Sequence, residues 1–248
     1  MNSIIQLIAV CAIPLIFSIT MHEAAHGYAA RKFGDNTAWM MGRVTLNPAK
    51  HIDPFGTVIL PLLLMVMGWP VFGYAKPVPY NPRYFKDPRR DDVIVGLAGP
   101  SANLAMAALA AAVAWGCSGL VSNPTFANNE LFAYFYVMFL PTFALINLYL
   151  MFFNLLPIPP LDGSSIFAIL LPPKYLPKYY QIQQYAFPVF MIAIVVLPYV
   201  FNFNPFSWYL GVTAGNLFDF IEFCSRHIPK IGILQMVFDS VNKVWKQT

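Results

Sequence analysis

Charge is scarce in this chain. Of its 248 residues only 10% are Asp, Glu, Lys or Arg, against roughly 25% in soluble domains. With 58% hydrophobic residues and a mean hydropathy of +0.58, that shortage excludes an ordinary water-soluble domain and predicts an integral membrane protein. Cysteine is sparse as well: Cys11, Cys117 and Cys224 are scattered, which excludes a paired metal knuckle or a disulfide framework and leaves them as packing residues. Four histidines are too few for the several histidine boxes of a diiron membrane oxygenase. No repeat, low-complexity tract or interdomain linker appears, and no loop is long enough for a separate soluble domain. Residues 1–225 are therefore expected to form one membrane domain with no appended regulatory domain. A basic n-region and a small-residue cleavage site are also missing before the first apolar run, so that run is expected to be retained.

Apolar segments are present in their place, at Ile4 to Ala30, Thr57 to Phe72, Val93 to Cys117, Leu131 to Leu156, Ile182 to Phe203 and Phe206 to Phe223. Most reach the roughly 20 residues that a spanning helix requires. Thr57 to Phe72 is shorter and carries Pro61, Gly68 and Pro70, which suits a re-entrant hairpin. If it does not cross, all 15 Lys and Arg fall on one side, and residues 118–130 and 204–205 on the other side carry none. The positive-inside rule makes the basic side cytoplasmic. The expected fold is thus an all-α polytopic membrane protein of five to six transmembrane helices, five crossings plus the hairpin being preferred. The expected location is the cell (inner) membrane.

The net charge of +4 comes from juxtamembrane Lys and Arg, so membrane lipids, anionic ones above all, are the expected partner and nucleic acid is not. Residues 226–248 alternate Ile231, Leu234, Val237 and Val241 with Lys230, Asp239, Lys243 and Lys246, which predicts a cytoplasmic amphipathic tail lying on the membrane surface.

Within the first apolar run stands His22-Glu23-Ala24-Ala25-His26, an HExxH sequence. Residues four apart share one helix face, so two imidazoles can grip one metal ion while Glu23 serves as general base. Three fixed positions in five arise by chance in many proteins. At membrane depth, however, each ionisable group costs roughly 2.5–3.5 kcal/mol on insertion scales and is as a rule functional. The spacing suits one Zn2+ per chain.

A catalytic zinc needs a third protein ligand. Asp162 is the candidate, in Asn154-Leu155-Leu156-Pro157-Ile158-Pro159-Pro160-Leu161-Asp162-Gly163, where three prolines must break a helix. Its competing role is an N-cap for the helix that follows. Zinc at +2, two ionised carboxylates and two neutral histidines sum to zero, which lowers the cost of burial. Asn154 offers a donor and an acceptor near the break, either for substrate or for a helix–helix hydrogen bond.

These residues resemble the site-2 protease family of intramembrane zinc metalloproteases, peptidase family M50. The likeness spans roughly residues 10–175 and includes Gly96 to Ala107, GLAGPSANLAMA, which is similar to the family's Gly-Pro-Asn helix. The resemblance implies His22, His26 and Asp162 as zinc ligands, Glu23 as general base and Asn154 as a substrate-binding group. Asn47 to Pro54 is similar to a segment of short members; there His51 and Asp53 are candidates to orient a ligand from outside the coordination shell, with a structural turn slightly favoured.

The implied reaction is hydrolysis of peptide bonds within or near transmembrane segments of membrane proteins, as in regulated intramembrane proteolysis or the clearance of signal-peptide remnants. A small membrane-associated β element, from Trp39 to Leu46 or Val71 to Tyr80, is the expected edge for an unwound substrate. The alternatives are a membrane metalloprotease acting on cytosolic tails or misfolded proteins, and a non-enzymatic metal transporter.

Overall fold

The computed structural model describes residues 3–66, 73–121, 123–201 and 203–224. The expected amphipathic tail lies outside them. The described chain is helical: α1 (Ser3–Lys32), α2 (Leu60–Val66), α3 (Pro88–Gly116), α4 (Glu130–Asn154), α5 (Ser164–Leu170), α6 (Leu176–Phe201) and α7 (Asn216–Cys224), with short helical turns between them. Among the described residues, two helices, Pro88–Leu120 and Glu130–Asn154, are long and apolar enough to cross a membrane.

Local chemistry starts and stops these helices. Asp87 caps α3 by accepting from the Arg90 N–H, and Pro88 fills the first helical position, where an N–H would have no partner. Asn129 caps α4 in the same way through the Phe132 N–H. At its far end α4 stops at Asn154, because Pro157, Pro159 and Pro160 cannot continue a helix ladder. The irregular stretch that follows satisfies its own backbone. Gly163 N–H donates to Asn154 O at 2.7 Å and Leu161 N–H to Ile158 O at 2.9 Å, as backbone removed from water must. Gly163 is required there, since a Cβ would meet Leu155 O at 2.3 Å.

Helices α1, α3 and α4 pack on one another and form the scaffold of the site. The main core lies between α3, α4 and α7, with Ala107, Ala110, Leu140, Ala144, Leu148, Met151, Ala214 and Phe218 buried. A smaller cluster of Ala30, Phe85 and Val95 joins the end of α1 to the start of α3.

Residues 54–66 run as a π-helical turn into α2. The chain then returns to where it left: Tyr74 N–H donates to Gly56 O at 3.0 Å and Thr57 Oγ1 to Tyr74 O at 2.9 Å. Both ends of this hairpin therefore sit together. Its returning limb touches α6 through Tyr74 and Phe187, whose rings meet edge to face at 4.9 Å.

The expected β element is corrected. Among the described residues no strand forms: Thr37–Met40 is a helical turn, and residues 73–81 form no regular element. Pro77 and Pro79 lack the N–H groups that a ladder needs.

Candidate active site

The helix period places His22 and His26 on one face of α1, and both are buried at 6% and 5% exposure. Each imidazole is oriented from behind by α3. His22 Nδ1 lies 2.7 Å from Asn103 Oδ1, and His26 Nδ1 lies 2.7 Å from Val95 O. Both oxygens can only accept, so both Nδ1 atoms carry the proton and donate. In the neutral imidazoles the Nε2 atoms are then bare lone pairs.

These lone pairs face each other at 3.0 Å. Asp162 Oδ2 joins them, 3.0 Å from His22 Nε2 and 3.4 Å from His26 Nε2, and among the described residues it has no hydrogen-bond donor. With both imidazoles neutral, three acceptors thus converge on one point. Such an arrangement repels itself unless a cation sits at its centre. The spacing is that of neighbouring ligands around zinc, where bonds of about 2.0–2.2 Å in a tetrahedron put donor atoms roughly 3.3 Å apart. The donor set of two imidazoles and a carboxylate, with Nδ1–H bonded outward, also suits a catalytic zinc. Among the described residues His22, His26 and Asp162 are the group able to hold a metal.

Gly99 completes the cradle from α3. A Cβ there would stand 2.4 Å from His26 Nε2 and 2.6 Å from His22 Nε2, so only a residue without a side chain leaves the space open. Gly96, one turn earlier, admits Ser165: its Cβ would meet Ser165 Oγ at 2.4 Å. Asp162 caps no helix with its carboxylate. Its backbone carbonyl accepts from Ser165 N–H at 3.0 Å and from Ser165 Oγ at 2.7 Å, which starts α5 and leaves the side chain for the histidines.

Glu23 projects beside this cluster, and its Oε2 accepts from the backbone N–H of Val78 at 2.8 Å. Asn154 turns its Nδ2 back to Leu150 O at 2.9 Å, while its carbonyl holds Gly163; the amide is thus tied to its own helix rather than to a neighbouring one. His51 is buried at 2% exposure, donates through Nε2 to Thr45 O at 2.9 Å and offers its carbonyl to Lys76 N–H at 2.9 Å. Asp53 caps the π-helical turn through Gly56 N–H at 2.7 Å. Both of these residues bond to the turns at the foot of the hairpin, and neither belongs to the His22, His26 and Asp162 group.

Sequence reasoning did not assign Asn103, the Val95 carbonyl or Gly99. Asn103 and Gly99 lie in the quoted GLAGPSANLAMA segment, four residues apart and hence on one helix face. A backbone carbonyl leaves no mark in a sequence.

Residues 10–197 match the family model described as peptidase family M50. The chain is 43% identical over 196 residues to "Putative zinc metalloprotease YwhC" of Bacillus subtilis, covering 77% of this chain and 82% of that protein. It is 32% identical over 197 residues to a Mycobacterium tuberculosis protein described in the same words but named Rip2, covering 79% of this chain and 68% of that one. The Rip2 of Mycolicibacterium smegmatis is 28% identical over 223 residues, covering 82% and 76%. No solved structure matches the chain.

Proposed function

We propose, since this chain belongs to peptidase family M50 and is a zinc metalloprotease of the site-2 type, that it hydrolyses peptide bonds within or near transmembrane segments of membrane proteins. His22, His26 and Asp162 are the proposed zinc ligands, Glu23 the general base and Asn154 a substrate-binding group. The observation that carries the reading is the convergence of His22 Nε2, His26 Nε2 and Asp162 Oδ2 within 3.4 Å of one another, with both Nδ1 atoms bonded outward to acceptors.

Bound zinc supplies Lewis acidity toward water and the scissile carbonyl. The chain's own groups do the rest. Asn103 and Val95 O fix the imidazole tautomers. Glu23 accepts the proton of the attacking water and returns it to the leaving amine. Asn154, beside the broken backbone, presents an amide to the substrate main chain.

The proposed setting is the inner membrane, with several crossings and the site toward the cytoplasm. Support comes from contacts that tie the basic segments together at one end: Arg43 bonds Lys76 O, and Arg89 bonds Leu171 O close to Lys174. The two ends of the residue 56–74 hairpin also meet, which favours re-entry. Transmembrane proteins are the proposed substrates and anionic lipids the proposed surroundings.

Glu23→Gln is the test. The purified variant is expected to keep its zinc and lose cleavage of membrane-protein substrates, while capturing them for identification. Full activity in that variant would defeat the assignment of Glu23.

A further inference from the structure

Arg43 is a buried cation held by carbonyl oxygens. It is buried at 7% exposure, and among the described residues no carboxylate lies in salt-bridge range of it. Burying a charge without an opposite partner is costly unless hydrogen bonds replace the lost water. The guanidinium is spent on backbone carbonyls instead: one terminal nitrogen donates to Lys50 O, and the other donates to Lys76 O at 2.6 Å and Pro77 O at 3.2 Å. It therefore clamps the chain immediately before Val78.

The register of that segment matters. In Lys76-Pro77-Val78-Pro79-Tyr80 both prolines lack an N–H, so Val78 supplies the one backbone donor between Lys76 and Tyr80. That donor is the group bonded to Glu23 Oε2 at 2.8 Å. A slip of one residue would bring a proline nitrogen to the carboxylate and leave it without a donor. The segment is accordingly fixed on both sides. Lys76 N–H bonds His51 O, and Asn81 N–H donates to the buried carboxylate of Asp35 at 2.6 Å. Gly27, beside His26, lets the segment approach α1: a Cβ at Gly27 would meet Val78 Cγ1 at 3.1 Å and Val44 Cγ2 at 2.8 Å.

We propose that Arg43 is a positioning residue for peptide hydrolysis, holding the Lys76–Val78 backbone in the register at which the Val78 N–H orients the Glu23 carboxylate. This rests on Glu23 being the general base. One oxygen of the carboxylate is committed to Val78, and the other is left to take the proton. Arg43 does not touch substrate; it acts through the main chain.

The experiment uses the full chain in proteoliposomes with a dye-quenched synthetic single-span peptide as probe. It measures kcat, KM, bound zinc and thermal midpoint for Arg43→Gln, Val78→Pro and the two combined. Misplacing a catalytic group by about 1 Å costs on the order of 100-fold, so each single variant is expected to lower kcat about 10–100-fold, with KM and zinc content unchanged. The combined variant is expected to be no slower than either alone, because Arg43 has nothing to position once the donor is gone. Arg43→Lys, which reaches fewer carbonyls, is expected to recover part of the lost kcat, and it carries the test if Arg43→Gln does not fold. An unchanged kcat, losses that multiply in the combined variant, or a loss explained by KM or zinc would overturn the proposal. Should Glu23→Gln itself stay active, the general-base reading fails instead; inactivity there with normal Arg43 variants sinks the Arg43 proposal alone.

Discussion

His22 Nδ1 and Asn103 Oδ1 lie 2.7 Å apart although 81 residues separate them in the chain. The bond fixes which nitrogen of His22 faces the metal position. Asn103 is fully buried, and among the described residues its Nδ2 has no hydrogen-bond partner, so the amide acts on His22 through its oxygen. Removing that oxygen in Asn103→Ala is expected to weaken zinc binding about 10–100-fold, the usual cost of losing such an orienting partner. Asn103→Asp keeps an acceptor and is expected to bind zinc more tightly than the alanine variant. Chelator competition on the two purified proteins decides; equal affinities would mean that the bond does not tune the ligand.

Gly99→Ala separates metal binding from helix stability. Alanine favours a helix interior by about 1 kcal/mol over glycine, yet its Cβ would stand 2.4 Å from His26 Nε2. The variant is expected to bind little zinc, and its thermal midpoint in the presence of chelator is expected to fall by a few degrees at most, because the overpacking cost of about 1–3 kcal/mol is partly offset by the helix gain. Normal zinc stoichiometry by elemental analysis would show that the cradle has more slack than its geometry implies.

Asp162→Asn removes a charge and changes little in shape. Oδ2 faces both imidazoles and caps no helix, so the substitution is expected to weaken zinc binding by at least about tenfold, since even partners outside the coordination shell cost that much. It should leave α5 intact, because that helix starts on the Asp162 carbonyl and Ser165. Retained zinc would mean that another carboxylate supplies the third ligand.

Topology is tested at the loop before α3, where Arg83 and Lys86 are exposed. Cysteines placed at these positions in a background lacking the native ones are expected to react with a membrane-impermeant maleimide in inverted vesicles and not in intact cells. Labelling from outside would place the active site on the opposite face.

How much of this was legible beforehand depends on the range of the interaction. His22, Glu23 and His26 follow from the period of a single helix, and Asp162 stands out because prolines break the helix next to it. Both signals are local. The partners of His22 and His26 lie 81 and 69 residues away on α3, and one of them is a carbonyl that every residue type carries. Arg43 read as one more basic residue on the cytoplasmic side, since only tertiary contact reveals that its charge is buried against Lys76 O and Pro77 O. The edge expected at Val71 to Tyr80 forms no strand among its described residues for a local reason: Pro77 and Pro79 leave Val78 as an isolated donor, and that donor goes to Glu23.

Both imidazoles lean on a single neighbour, α3, through Asn103 and the Val95 carbonyl. Prising α1 away from α3 would therefore strip both rings of their acceptors at once, so the pair is held or lost as one unit.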